Sequence, residues 1–217
     1  MSVDQKAIVE AVSGLTLEGN EDGLIPAFGL YLTRHFAAYY NTISFEFYRQ
    51  AETAGVDQEH QARLGLIEAG HQCAFNTFGG IMMSQEWEAV VRPMLESRED
   101  WAYGIVGVIN ALGWGVWHIN ALEPGRTLQV AIDNSYESTG YLQTYGPRET
   151  GGICFLAAGG VAGIMNLLYH GDITQRPALT EEYYGQLFHS GDHFRAREVA
   201  CRAAGAPRCE LVAERNA

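Results

Sequence analysis

Positive charge is what this sequence has least of. Lys and Arg number 14 against 26 Asp and Glu in 217 residues, a formal net charge of −12. Such a surface repels phosphate, which excludes DNA, RNA and anionic membrane as direct partners. Charged residues of both signs reach only 18%, below the usual ~25%, while apolar residues make up 47%. Intrinsic disorder is therefore excluded over most of the length. No apolar run reaches the ~20 residues of a membrane span. Residues 1–14 have no basic segment followed by an apolar stretch, so no secretory signal is read and a cytoplasmic chain with reduced thiols is expected. Internal repeats are absent. So are a G-x-G-x-x-G after a strand and a nucleophile elbow, because Gly159-Gly160-x-x-Gly163 falls inside a helical pattern. The length fits one domain with its own core, with or without an added arm.

Glycine is plentiful: 25 residues, about one in nine, where about 7% is usual. The periodicities suggest the following order of elements. Residues 1–50 read as an N-terminal helical arm suited to dimerisation, with helix favoured from Ile25 through about Tyr40. Residues 51–217 form the main domain. A helix spans 58–82, with Leu64, Ile67, His71, Ala74, Phe75, Phe78 and Ile81 on one face, and Gly79-Gly80 ends or kinks it. Ser84 and the Ser97/Asp100 pair start the next helices. Residues 114–122 and 127–133 read as a hairpin around Glu123-Pro124-Gly125-Arg126, and 135–146 as a short helix. Residues 154–171 read as a buried helix whose small residues pack closely against neighbours. An insertion at 172–193 carries a helix begun by Thr180, and two final strands flank 202–208. Helices, hairpin, helix, hairpin make an α+β fold with an antiparallel sheet packed against helices.

The sharpest local signal is Glu198-x-x-Cys201-x₇-Cys209, two thiols around a Gly/Pro turn with a carboxylate three residues before them. Thiolates hold zinc at ~2.3 Å and carboxylates at ~2.0–2.2 Å, usually in sets of four. A hairpin brings Cys201 and Cys209 together across its turn. Glu198 and Cys201, however, fall on opposite faces of a regular strand, so convergence requires a bulge. Cys154, at the start of the glycine-rich helix, is the natural fourth ligand. The alternative is that these cysteines are simply small buried apolar residues.

Three segments together resemble the 4-vinyl-reductase domain family, which includes the phenol- and toluene-sensing domains of bacterial aromatic-catabolism activators. They are Asn134-Ser135-Tyr136-Glu137 followed by Tyr145-Gly146, Cys154-Phe155 leading into Ala157-Ala158-Gly159-Gly160, and Glu198-x-x-Cys201-x₇-Cys209. The resemblance covers about the C-terminal half. It implies a ligand-binding fold of the NO-signalling/Golgi-transport type and a structural zinc held by Cys154, Glu198, Cys201 and Cys209, with no open position. The chain departs from the sensors in its longer spacing between Cys154 and Glu198, by about the 172–193 segment. That segment adds His189-x₃-His193, which offers a second metal site if both lie on one helix face.

Sensor relatives enclose a small apolar or aromatic ligand beside the zinc. Wall material here is Phe75, Phe78, Trp114, Trp117, Tyr136 and Phe155, with His71 and His118 as polar groups, placing the pocket between helix 58–82 and strand 114–122. Buried aromatic stripes and a lone histidine are equally the makings of an ordinary core. The sensors' phenol-contacting positions have no clean counterpart, so phenol itself is not carried over. The expected function is a zinc-stabilised, homodimeric binding protein or sensor for a small hydrophobic or aromatic molecule, signalling through a partner. Two other classes compete. One is an enzyme acting on a tetrapyrrole or other hydrophobic substrate, with Asp133, Glu137 and His118 as an acid/base group. The other is a dimeric scaffold.

Overall fold

The computed structural model describes residues 3–34 and 36–215. The fold is α+β, built on a four-stranded antiparallel sheet in the order β3-β4-β6-β5. Strands β3 (Val116–Glu123) and β4 (Thr127–Asp133) form the first hairpin, turning through Gly125 at φ +70°. Strands β5 (Phe194–Ala200) and β6 (Cys209–Arg215) form the second. Pairing of β4 with β6, Ile132 opposite Cys209, joins the two hairpins.

Helix α7 (Phe155–Met165) packs on this sheet, and α3 (Val56–Cys73) stacks on α7. Every residue of α7 except Leu156 is buried, which is why the segment has no polar face. Its glycines are there because two backbones touch. A Cβ on Gly159 would lie 2.3 Å from the Ile67 carbonyl oxygen, and one on Gly70 would lie 2.5 Å from that of Leu156. Helix α3 continues through one π-helical stretch, 74–78, into α4 (Gly79–Met83). Gly79-Gly80 therefore does not end the helix; it lets Leu179 and Leu30 approach the backbone.

Helix starts follow the side chains that cap them. Ser84 Oγ accepts the Trp87 N–H. Ahead of α5 (Asp100–Ala111), Asp100 accepts the Glu96 and Ser97 N–H groups while Ser97 Oγ accepts that of Asp100. Helix α6 (Tyr136–Tyr145) follows the first hairpin. In the 172–193 segment Thr180 Oγ1 caps α8 (Glu181–Phe188). Near the N-terminus, α1 (Gln5–Ser13) buries Ile8 and Val12 against α5.

Residues 25–40 differ from expectation. Ile25–Ala27 and Leu30–Leu32 pair as a short hairpin, β1-β2, and helix α2 runs later, over Ala37–Ala54. Pro26 and a turn with Phe28 and Gly29 both at positive φ break the helical pattern. A tertiary hydrogen bond from the Phe28 N–H to Glu86 Oε1, 3.0 Å, fixes that turn. Among the described residues, no helix is long and apolar enough to cross a membrane.

Candidate metal centre and adjoining cavity

Cys154 immediately precedes α7 and follows the glycine pair 151–152. Glu198 lies on β5, where the pairing register slips between Glu198 (opposite Leu211) and Ala200 (opposite Glu210). The extra residue, Val199, is pushed outward, and the bulge turns Glu198 and Cys201 toward one point despite their three-residue spacing. Cys201 then enters a single 3₁₀ turn, Arg202–Ala204, closed by Gly205 at φ +91°. That turn returns the chain to Cys209 at the head of β6.

One ligand atom from each of Cys154, Glu198, Cys201 and Cys209 lies within 4.8 Å of all the others. Among the described residues this is the only such group of three or more His, Cys, Asp or Glu. The Cys154 and Cys209 sulfurs are 3.4 Å apart. Glu198 Oε2 accepts the Cys154 N–H at 2.9 Å, whereas Oε1 is buried with no hydrogen-bond partner among the described residues. The Arg202 N–H points at Cys209 Sγ, 3.5 Å, and Ser135 Oγ lies 3.4 Å from Cys154 Sγ.

Hydrogen bonds from the Cys154 and Cys201 thiols, with the Arg202 N–H, pull the Cys209 thiol below the ordinary cysteine range. Burial pushes Cys154 up, and burial plus the nearby Cys201 raises Glu198 to about 8. Burial thus favours the protonated forms of Cys154 and Glu198, and the shared hydrogen bonds favour the thiolate of Cys209; a divalent ion brought to this set would displace the remaining protons. Three thiolates and one carboxylate, with an orphaned buried oxygen among them, form a donor set that fits tetrahedral zinc.

Beside the centre is an enclosed cavity of about 10 Å³, the space of a single water molecule. Phe78, Trp114, Trp117 and Tyr136 form its aromatic walls, and Gly70 and Gly160 leave it room. Cys73 and Ser135 are its smaller polar groups. It lies between α3 and the start of the first hairpin.

Of the residues named from the sequence for a pocket, Trp114, Trp117, Tyr136 and Phe78 meet here. The others lie elsewhere. Phe75 packs on Tyr184 and Phe188, and Phe155 on Tyr48. His71 bonds Glu68 through Nδ1 at 3.1 Å and lines an open groove on the far side of α3. His118 pairs with Asp133 at 3.0 Å, half-exposed. Glu137 is buried instead, its carboxylate accepting the Leu156 and Ala157 N–H groups at 3.0 and 2.9 Å, so the Asp133–Glu137–His118 group does not assemble. Burial, only partly offset by those two bonds, raises Glu137 to about 8. Nor do His189 and His193 share a helix face: α8 stops at Phe188, His189 Nε2 bonds Glu68, and His193 is held by Ser190 and Arg195.

Sequence reasoning did not assign the roles of Glu137, Ser135 and Gly152. Glu137 stood in the Asn134–Glu137 motif and in the Asp133–Glu137–His118 acid/base group; its place over the start of α7 is a tertiary fact.

No protein-family profile matches the chain, and no curated protein is similar enough in sequence to count as a match. Among solved structures the fold is similar to the crystal structure of the phenol-responsive sensory domain of the transcription activator PoxR with phenol. The TM-score is 0.63 at 14% identity, covering 99% of this chain and 92% of that one. What the two share is the fold.

Proposed function

We propose that this chain is a zinc-stabilised binding domain for a small, uncharged aromatic or hydrophobic molecule, of the 4-vinyl-reductase-domain type, acting as a sensor through a partner. The observation that carries this reading is the meeting of Cys154, Glu198, Cys201 and Cys209 against an aromatic-walled cavity. The similarity to a phenol-responsive domain supports it. Cys154, Glu198, Cys201 and Cys209 would hold the ion, which supplies a fixed tetrahedral knot between α7 and the second hairpin. The ligand occupies the cavity, which widens by movement of Trp114 and Tyr136. Ser135, Tyr136 and Cys73 offer it hydrogen-bonding groups, and no cationic side chain lines the space, which selects against carboxylates. The reading includes a homodimer formed through residues 1–50, where Phe36, Tyr39, Ile43 and Phe47 are exposed at helical spacing.

Native mass spectrometry with metal analysis tests the reading, with one zinc per chain expected. Calorimetric titration with phenol, toluene and benzoate should show the two neutral arenes binding and benzoate not. Cys201→Ser should lower stability by several kcal/mol, because metal-binding energy is folding energy. A fully stable, metal-free wild-type protein would remove the zinc from the proposal.

A further inference from the structure

The centre has a second space against it, on the side away from the aromatic cavity. Gly151, Gly152, Glu198, Val199, Cys201 and Ala206 border an open cleft of about 380 Å³. Of the four ligating residues only Glu198 and Cys201 reach this cleft. Cys154 and Cys209 are 1% and 0% exposed behind them. The glycine loop closes directly on the carboxylate at the edge of the cleft: a Cβ on Gly152 would lie 2.1 Å from Glu198 Oε2, so only glycine lets the loop lie against that ligand. On the inner side the space holds about one water and is walled by Phe78, Trp114, Trp117 and Tyr136, so an ion leaving that way would have to displace the ligand-binding walls.

We infer that the metal ion is loaded and released through this outer cleft, with Glu198 as the ligand that turns aside. The inference rests on the zinc reading above. The four ligands are not equally fixed. Cys154 heads a buried helix, Cys209 is paired into a central strand, and Cys201 opens a tight turn. Glu198 is held by side-chain contacts alone, the Cys154 N–H and the neighbouring Cys154 and Cys201 thiols, and its side-chain torsions can swing the carboxylate without moving backbone. Among thiolates a carboxylate is also the harder donor for a borderline-soft ion, and so the one to exchange first. The protein can therefore gain or lose its ion without opening the ligand cavity.

Cobalt(II) is the probe, since its thiolate absorption reports the coordination sphere. The loaded protein is mixed with excess EDTA and the loss of absorption followed. Ala206→Phe and Ala206→Trp fill the cleft without replacing a ligand or the bulge residue. They should leave stoichiometry and spectrum unchanged and slow release at least tenfold. Gly152→Ala, which crowds Glu198, should speed release. In the metal-free protein, iodoacetamide followed by peptide mass spectrometry should modify Cys201 before Cys154 and Cys209, a readout that holds even if a filled variant folds poorly. Wild-type release rates in both filled variants, or alkylation of Cys154 first, would overturn the route. A wild-type protein that takes up neither cobalt nor zinc would instead overturn the zinc reading beneath it, so the two failures are distinguishable.

Discussion

A glycine in this chain does one of two things, and the difference is measurable. Gly159 sits where α7 crosses α3, and its hydrogen occupies space bounded by backbone atoms of Ile67 and Gly70 that cannot rotate away. Gly159→Ala should therefore separate the helices and cost about 1–3 kcal/mol or more, read from urea unfolding. Gly185, inside α8, has nothing within 4 Å of a would-be Cβ. Gly185→Ala should stabilise by about 0.5–1 kcal/mol, through helix propensity. Composition announced the excess of glycine, and the small residues at 154–171 announced a close-packed helix. Nothing in one sequence says which helix lies across from it. Glu137 makes the same point with a carboxylate. Its neighbours in sequence suggest acid/base chemistry, yet it caps the start of α7 from 20 residues away. Glu137→Leu should leave two buried N–H groups unpaired, at about 1–3 kcal/mol each. An unchanged unfolding midpoint would show that those groups find other partners.

Elements with a strong period or a cap were readable, and those without were not. The strand 127–133 and the helix begun by Thr180 fall where alternation and capping chemistry put them. β1 and β2 have three residues each, too few for an alternation to show, so the aromatic spacing around them reads as helix. The 172–193 segment was visible as an insertion, but its docking was not. Tyr184 and His189 both bond Glu68 Oε1, while His71 bonds Oε2. Burial holds His71 below its ordinary 6.5. For Glu68, burial pushes upward, but the bonds from Tyr184, His189 and His71 outweigh it and hold the carboxyl below 4.5. His193, facing the same groove, is lowered by burial as well. In each case the unfolded chain binds the proton more readily, so stability rises with pH. The histidine contribution is lost as pH falls below about 6.5 and the Glu68 contribution below about 4.5. Buried Glu137, raised to about 8, works the other way over the same range, so the readout is a difference: between pH 7 and 5 the wild-type midpoint should fall relative to that of His71→Gln. A midpoint equally pH-dependent in wild type and His71→Gln would rule out His71 as the source.

At the scale of the whole molecule, the sequence grouped its four metal candidates correctly in space while leaving the sheet order open. Hairpin chemistry joins β3 to β4 and β5 to β6, but only the finished fold pairs β4 with β6 and so carries Cys209 under Cys154. The pairing has a consequence for binding. Ser135, which touches the Cys154 sulfur, also lines the aromatic cavity, as do Leu156 and Ala157 just beyond Cys154. The start of α7 is thus one wall of the cavity and one corner of the metal centre. If the centre holds zinc as proposed, removing the ion leaves α7 tied to the second hairpin only by its packing on β5 and β6 and the Cys154–Glu198 hydrogen bond, and the wall loosens. A wall that loosens cannot pre-organise a ligand, and the ordering cost falls on binding. Protein stripped with a chelator and measured well below its unfolding temperature should therefore bind the neutral arene at least tenfold more weakly than the zinc-loaded form, with affinity restored by one equivalent of zinc. By linkage the same ligand should slow the loss of zinc to a chelator by raising the affinity for the ion by the same factor. Equal arene affinities with and without metal would mean that the two sites are neighbours in space and independent in energy.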